Sequence, residues 1–250
     1  MQQFSIVTDQ QILHPQVSVT QSPTRLSRQD RWQIPVLLAT YALCVLLPGT
    51  ETFLTTTLPA PFNNLFWASV IMYALPAILG IAFYGRAVIA SFRSTFSSRP
   101  WLKIIAIIVS PVVIIVLNNI ASQLTGPVTE AENEQKLQTA IQQAPLWATV
   151  ALFVIIGPLV EEIIFRHILI GKCSAFAPTW LVASLSAVAF ALIHVNQPAE
   201  IMAYLPMAVI FTLLYLAAHK QIALSYLAHI LNNFLVVAVI PWMVATMGAP

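Results

Sequence analysis

Charge is what this chain has least of. Only 8% of its 250 residues are Asp, Glu, Lys or Arg, while 58% are hydrophobic, a balance that a water-soluble domain of this length cannot hide in one core. The net charge of +2 is small and the basic residues are scattered, which argues against nucleic acid as a partner. Cysteine is nearly absent: Cys44 lies in an apolar run and Cys173 beside Lys172, and both read as free thiols outside any disulfide framework. The first thirty or so residues are polar, rich in Gln and Ser, and lack an apolar core of the length a cleaved signal peptide needs; a loose cytoplasmic tail over residues 1–31 is expected. Internal repeats, low-complexity tracts and an HExxH sequence are missing too, which removes repeat architectures and the one-helix zinc-protease signature.

What the chain does have is long apolar runs. A helix needs roughly 20 mostly apolar residues to cross about 30 Å of hydrocarbon. Runs of about that length lie at 32–48, 65–90, 101–122, 146–171, 178–196, 200–218 and 221–241. They predict an all-α polytopic membrane protein of about seven transmembrane helices, divided into N-terminal helices and an acidic loop over 32–145 and a helical core over 146–250. The first run is the shortest, bracketed by Pro35 and Pro48.

Arg25, Arg28 and Arg31 precede the first run, Arg86, Arg93, Arg99 and Lys103 join the second to the third, and Arg166, Lys172 and Lys220 flank later alternate turns. Lys136 alone falls on the other side. That asymmetry predicts an integral plasma-membrane protein with a cytoplasmic N-terminus and, with seven spans, an external C-terminus. Glu130, Glu132 and Glu134, in the loop from Thr125 to Pro145, agree with it. Trp32, Trp67, Trp101, Trp147, Trp180 and Trp242 fall near run ends and read as interface anchors.

One run breaks the pattern. GPLVEEIIFRHIL, residues 157–169, holds two glutamates, an arginine and a histidine, and an ionisable group in a membrane costs on the order of 3 kcal/mol on insertion scales. Adjacent helical residues point about 100° apart, so Glu161 and Glu162 serve different neighbours. Arg166, four residues after Glu162, is placed to pair with it. Glu161 is left without a committed partner, available to take a proton from water. Pro158 either kinks this helix and frees backbone groups or is a tolerated membrane proline, and Pro206 reads the same way. His167 reads as a polar residue near the cytoplasmic helix end.

Two later runs add polar groups. FALIH puts Phe190 and His194 on one helix face, and HILNN does the same for His229 and Asn233. His229 and Asn233 can donate to the oxyanion of an attacked carbonyl, and His194 can bind the same water as Glu161. The kit demands no Ser or Cys nucleophile: Cys173 and Ser174 lie near a helix end, and Ser225, one turn before His229, has no motif around it. Depth is a difficulty, since at 1.5 Å per residue Glu161 and His194 lie about 17 Å and 25 Å from the turn that joins their helices, and His229 about 14 Å from Lys220. These levels meet only if helices tilt or protrude unequally.

EEIIFR from Glu161 to Arg166, FALIH from Phe190 to His194 and HILNN from His229 to Asn233 resemble the EExxxR, FxxxH and HxxxN motifs of the CAAX-processing and bacteriocin-processing (CPBP, or Abi) family of intramembrane proteases. The resemblance covers roughly residues 146 to 240. It implies a glutamate-dependent endopeptidase without metal or other cofactor, in which Glu161 activates water, His194 positions it, His229 and Asn233 form the oxyanion site, and Glu162, Arg166 and Phe190 support them. It also implies a membrane lipid environment and a peptide or protein substrate, prenylated or a bacteriocin-like precursor. His167 departs from the family wording, where glycine is frequent.

Other readings stay open at this point. Glu161, His194 and His229 form a conceivable three-ligand zinc site. A proton-coupled transporter would use the same residues as a relay, though the related halves such transporters often show are not visible. A non-catalytic bacteriocin-immunity or scaffold protein would keep the fold and tolerate loss of Glu161.

Overall fold

A computed structural model describes residues 26–125, 132–195, 197 and 200–239. Arg25 and the tail before it, Glu130 and Trp242 lie outside the described residues. Among the described residues the chain forms helices α1 (Asp30–Leu46), α2 (Thr50–Thr57), α3 (Leu65–Phe96), α4 (Pro100–Thr125), α5 (Glu132–Gln142), α6 (Leu146–Ala175), α7 (Thr179–Leu192), α8 (Ile201–Ala217) and α9 (Ile222–Val239).

Each of the seven apolar runs contains a helix, but they are not seven spans of full length. Helices α3, α4, α6 and α9 are long and apolar enough to cross a membrane; α1 and α2, bent by 62° at their junction, make a fifth if taken together. The runs at 178–196 and 200–218 fold as α7 and α8, with 14 and 17 residues, or roughly 21 Å and 25 Å at 1.5 Å per residue. An apolar run measures the surrounding medium, and hydropathy continues past the point where the helix stops.

Helix α3 starts with Asn64, whose side chain accepts from the Trp67 N–H at 3.1 Å, while Gln143 Oε1 accepts from Leu65 N–H at 2.9 Å. Two first-turn donors are thus satisfied. The centre of the molecule is α6, packed by α3, α7 and α9, with α9 also lying against α4 and α8. The Ala223 N–H, at the start of α9, donates to Ser91 Oγ of α3 at 2.9 Å. Ser186 of α7 donates to the Phe165 carbonyl of α6 at 2.5 Å. Lys172, near the end of α6, pairs with Asp30 at the start of α1 at 3.0 Å. Cys44 and Cys173 are free thiols.

Helix α6 is wound unevenly. Residues Val150–Ile156 and Glu162–Lys172 are π-helical, and Gly157–Glu161 between them is α-helical. In the wide winding the Gly157 N–H bonds to the Leu152 carbonyl, five residues back. The next residue in that register is Pro158, which has no N–H, so the Phe153 carbonyl lacks its helical donor. Asn233 Nδ2 of α9 donates to it at 3.0 Å, and Tyr226 donates to the nearby Ile155 carbonyl at 3.0 Å. Pro158 therefore does free backbone, and α9 satisfies it.

Candidate active site

Glu162 is fully buried, and so is Arg166, one turn later. Arg166 Nη1 lies 3.2 Å from Glu162 Oε1, the pairing that their spacing suggests. The guanidinium also donates through Nη2 to the Ala208 carbonyl at 3.2 Å and stacks over the Phe190 ring, 4.4 Å from its centroid. Ser225 donates to Glu162 Oε2 at 2.5 Å, and His229 Nδ1 lies 3.3 Å from Glu162 Oε1. Both carboxylate oxygens are occupied, as a charge taken out of solvent requires. Glu162 is thus the post to which α6 and α9 are tied.

Glu161 is placed differently. It borders a cavity of about 880 Å³ shared with Tyr41, Tyr73, His194, His229 and Asn233. Its Oε2 lies 3.7 Å from His229 Nε2 and 3.9 Å from His194 Nε2. The expectation that Glu161 has no committed partner needs correction: Tyr73 of α3 donates to its Oε1 at 3.0 Å. Oε2 is the oxygen nearest the imidazoles.

His194 does not continue a helix face as its spacing with Phe190 suggests. α7 ends at Leu192 and the chain turns, leaving the Phe190 carbonyl among the unpaired groups of the last turn. His194 Nδ1 sits 2.7 Å from that carbonyl. A carbonyl only accepts, so Nδ1 carries the hydrogen and the Nε2 of the neutral ring presents a lone pair towards Glu161. The turn also removes the depth difficulty, because the imidazole comes back towards Glu161 from the end of a short helix.

Phe190, fully buried, joins the parts. Its ring centroid is 4.7 Å from that of His194, 5.8 Å from that of His229 and 5.3 Å from that of Phe165. Phe211 of α8 stacks on the other imidazole, His229, at 4.5 Å. His167, by contrast, packs on Tyr84 with ring centroids 5.1 Å apart.

Glu161, His194 and His229 are thus brought together, Glu162, Arg166 and Phe190 lie directly behind them, and Asn233 lines the same cavity with one amide hydrogen committed to Phe153. Sequence reasoning missed two neighbours. Ser225 shares a helix face with His229, four residues on, which was its signal. Tyr73 sits well inside its apolar run, unlike a residue anchored at the interface, and a phenol at such depth needs an internal partner. Among the described residues no group of three or more His, Cys, Asp or Glu side chains is arranged to hold a metal ion.

A family model described as Type II CAAX prenyl endopeptidase Rce1-like matches residues 143–235, a stretch that contains all three motifs. The putative membrane peptidase YdiL of Bacillus subtilis (strain 168) is 34% identical over 108 residues, 43% of this chain and 43% of its own length. The UPF0177 protein YbdI of Lactococcus lactis subsp. lactis (strain IL1403) is 31% identical over 147 residues, 57% of this chain and 77% of its own. The membrane-embedded CAAX protease MroQ of Staphylococcus aureus (strain USA300) is 33% identical over 128 residues, 49% of this chain and 50% of its own. The chain thus spans half or less of the Bacillus and Staphylococcus relatives, and about three quarters of the Lactococcus one. No solved structure gives a significant match. With its apolar helices, its three motifs in order and these relatives, the chain is an integral membrane protein that belongs to the CAAX-processing and bacteriocin-processing family of membrane proteases.

Proposed function

We propose that the protein is an intramembrane endopeptidase in which Glu161 activates water against a peptide bond of a membrane-associated or lipid-linked substrate. The observation that carries this reading is the meeting of one carboxylate oxygen with two imidazoles at a cavity. Separations of 3.7 Å and 3.9 Å are too long for direct hydrogen bonds and suit a water between the groups. Glu161 Oε2 and His194 Nε2 are both acceptors, so one water can give a hydrogen to each and keep its own lone pairs for attack.

The steps follow from that arrangement. The water oxygen bonds to the scissile carbonyl carbon as its proton passes to Glu161 Oε2, and the carbonyl electrons move onto oxygen. The second amide hydrogen of Asn233 is a donor available to the forming oxyanion, and His229, whose Nδ1 faces Glu162 Oε1 at 3.3 Å, adds an Nε2–H when its ring is doubly protonated. On collapse the C–N bond breaks, the amine takes the proton from Glu161, and the carboxylate is restored. Glu162 and Arg166 hold His229 and α9 in place and do not touch the reacting atoms.

The description of the family model and the name of the Staphylococcus relative favour a substrate of the CAAX type, and the family also admits a bacteriocin-like precursor. The Lys and Arg distribution favours a cytoplasmic N-terminus in the plasma membrane. The test is cleavage by purified protein of a membrane-anchored peptide. Glu161→Gln is expected to lose about 10²- to 10⁴-fold in rate while keeping its fold, with large losses for His194→Ala and His229→Ala. Three variants that cut as fast as the unaltered protein would refute the assignment, as a scaffold or immunity role requires.

A further inference from the structure

Tyr73 belongs to none of the three motifs and lies on α3, 88 residues from Glu161 in sequence, yet its hydroxyl is 3.0 Å from Glu161 Oε1. We infer that Tyr73 is the positioning residue of the reaction: it pins one oxygen of Glu161 so that the other is aimed at the water between the imidazoles. The inference rests on the reading of Glu161 as the proton acceptor and extends it to a residue outside the recognised core.

The geometry divides the carboxylate. Oε1 is held by the phenol, and Oε2 is the oxygen nearest His194 Nε2 and His229 Nε2. The terminal torsion of a glutamate is broad and roughly two-fold, so an unanchored carboxylate at a cavity wall samples rotations that carry Oε2 away from both rings. A hydroxyl donor on Oε1 removes that freedom, and a misplacement of about 1 Å can cost as much as 10²-fold in rate.

The ring that carries the hydroxyl is itself fixed. Tyr41 of α1 meets it edge-on with centroids 6.4 Å apart, and Tyr41 is braced in turn by Phe165 at 6.4 Å. Gly157 packs beside the Tyr73 ring as well: a Cβ there would stand 3.7 Å from Tyr73 Cε1, in ordinary van der Waals contact. The aromatic train α1–α3–α6 therefore ends in one hydroxyl aimed at one carboxylate oxygen. Tyr41 borders the same cavity, and its buried hydroxyl lies beside that of Tyr73.

The test is steady-state cleavage of one membrane-anchored peptide by full-length variants. Tyr73→Phe is expected to lower kcat about ten- to a hundredfold with KM changed less than about twofold, because the hydroxyl is engaged by Glu161 and not by substrate. 4-Methylphenylalanine at position 73 fills the hydroxyl's space without a donor and should be as slow. 4-Aminophenylalanine restores a donor and should recover most of the rate. This last pair differs only in donor capacity, so it decides the matter even where Tyr73→Phe fails to fold.

Wild-type kcat in Tyr73→Phe, a loss confined to KM, or equal rates for the methyl and amino variants would overturn the inference. Glu161→Gln separates the two levels. If that variant cuts normally, the reading of the site fails; if it is inactive while Tyr73→Phe is normal, only the role of Tyr73 fails.

Discussion

Helices α4 and α6 are nearly equal in apolar character and opposite in use. Their most apolar windows have mean hydropathies of 2.6 and 2.1, yet 17% of the first and 67% of the second is buried inside the protein. Helix α4 turns Ile104, Ile108, Val112 and Ile115 outwards, where lipid solvates them as well as a core would. Helix α6 carries Glu161, Glu162 and Arg166, which lipid cannot solvate, and is surrounded by α3, α7 and α9. In a membrane, apolar surface gives no reason to be inside. The charged groups do, and burial follows the few polar residues.

Breaking the ion pair should have the largest effect on stability. Arg166→Ala leaves the Glu162 carboxylate buried and unpaired, an error that typically costs about 3–5 kcal/mol. Thermal melting in detergent should show a large loss, and an unchanged melting temperature would mean that the polar residues do not organise α6. The converse change on α4 follows. Ile108→Arg places a charge on the lipid face and should cost about 2.5–3.5 kcal/mol of insertion, read as lower yield of membrane-inserted protein, while the inserted fraction cuts at the normal rate. Ser225→Ala is the mildest of the three. Loss of the donor to Glu162 Oε2 should cost about 1–3 kcal/mol and lower cleavage roughly tenfold, with the fold kept.

Parts of this arrangement are legible in the sequence. The pairing of Glu162 with Arg166 follows from four-residue spacing, and helical runs of lipid-compatible length follow from hydropathy. The lengths of α7 and α8 were not legible, because Ile193 and Val195 continue the apolar run after the helix has ended. The convergence of His194 and His229 on Glu161 does not follow from periodicity, which gives faces and not neighbours; the complementary chemistry of the groups and the resemblance of the motifs suggested it. The wide winding around Pro158 gives a reason for Asn233 that spacing could not, since its amide closes a backbone gap 80 residues away. Tyr73 was lost among apolar neighbours for the same reason that α4 looks like α6: hydropathy averages over the one atom that matters.

The most direct test of the proposed chemistry is a single turnover in ¹⁸O-labelled water, with mass spectrometry of both the cleaved peptide and the Glu161 side chain. If Glu161 delivers water to the carbonyl, the label enters the new carboxyl group of the peptide and Glu161 stays unlabelled. Label in Glu161 with an unlabelled product would show that the carboxylate attacks the substrate itself, and would contradict the reading of Glu161 as the base that activates water.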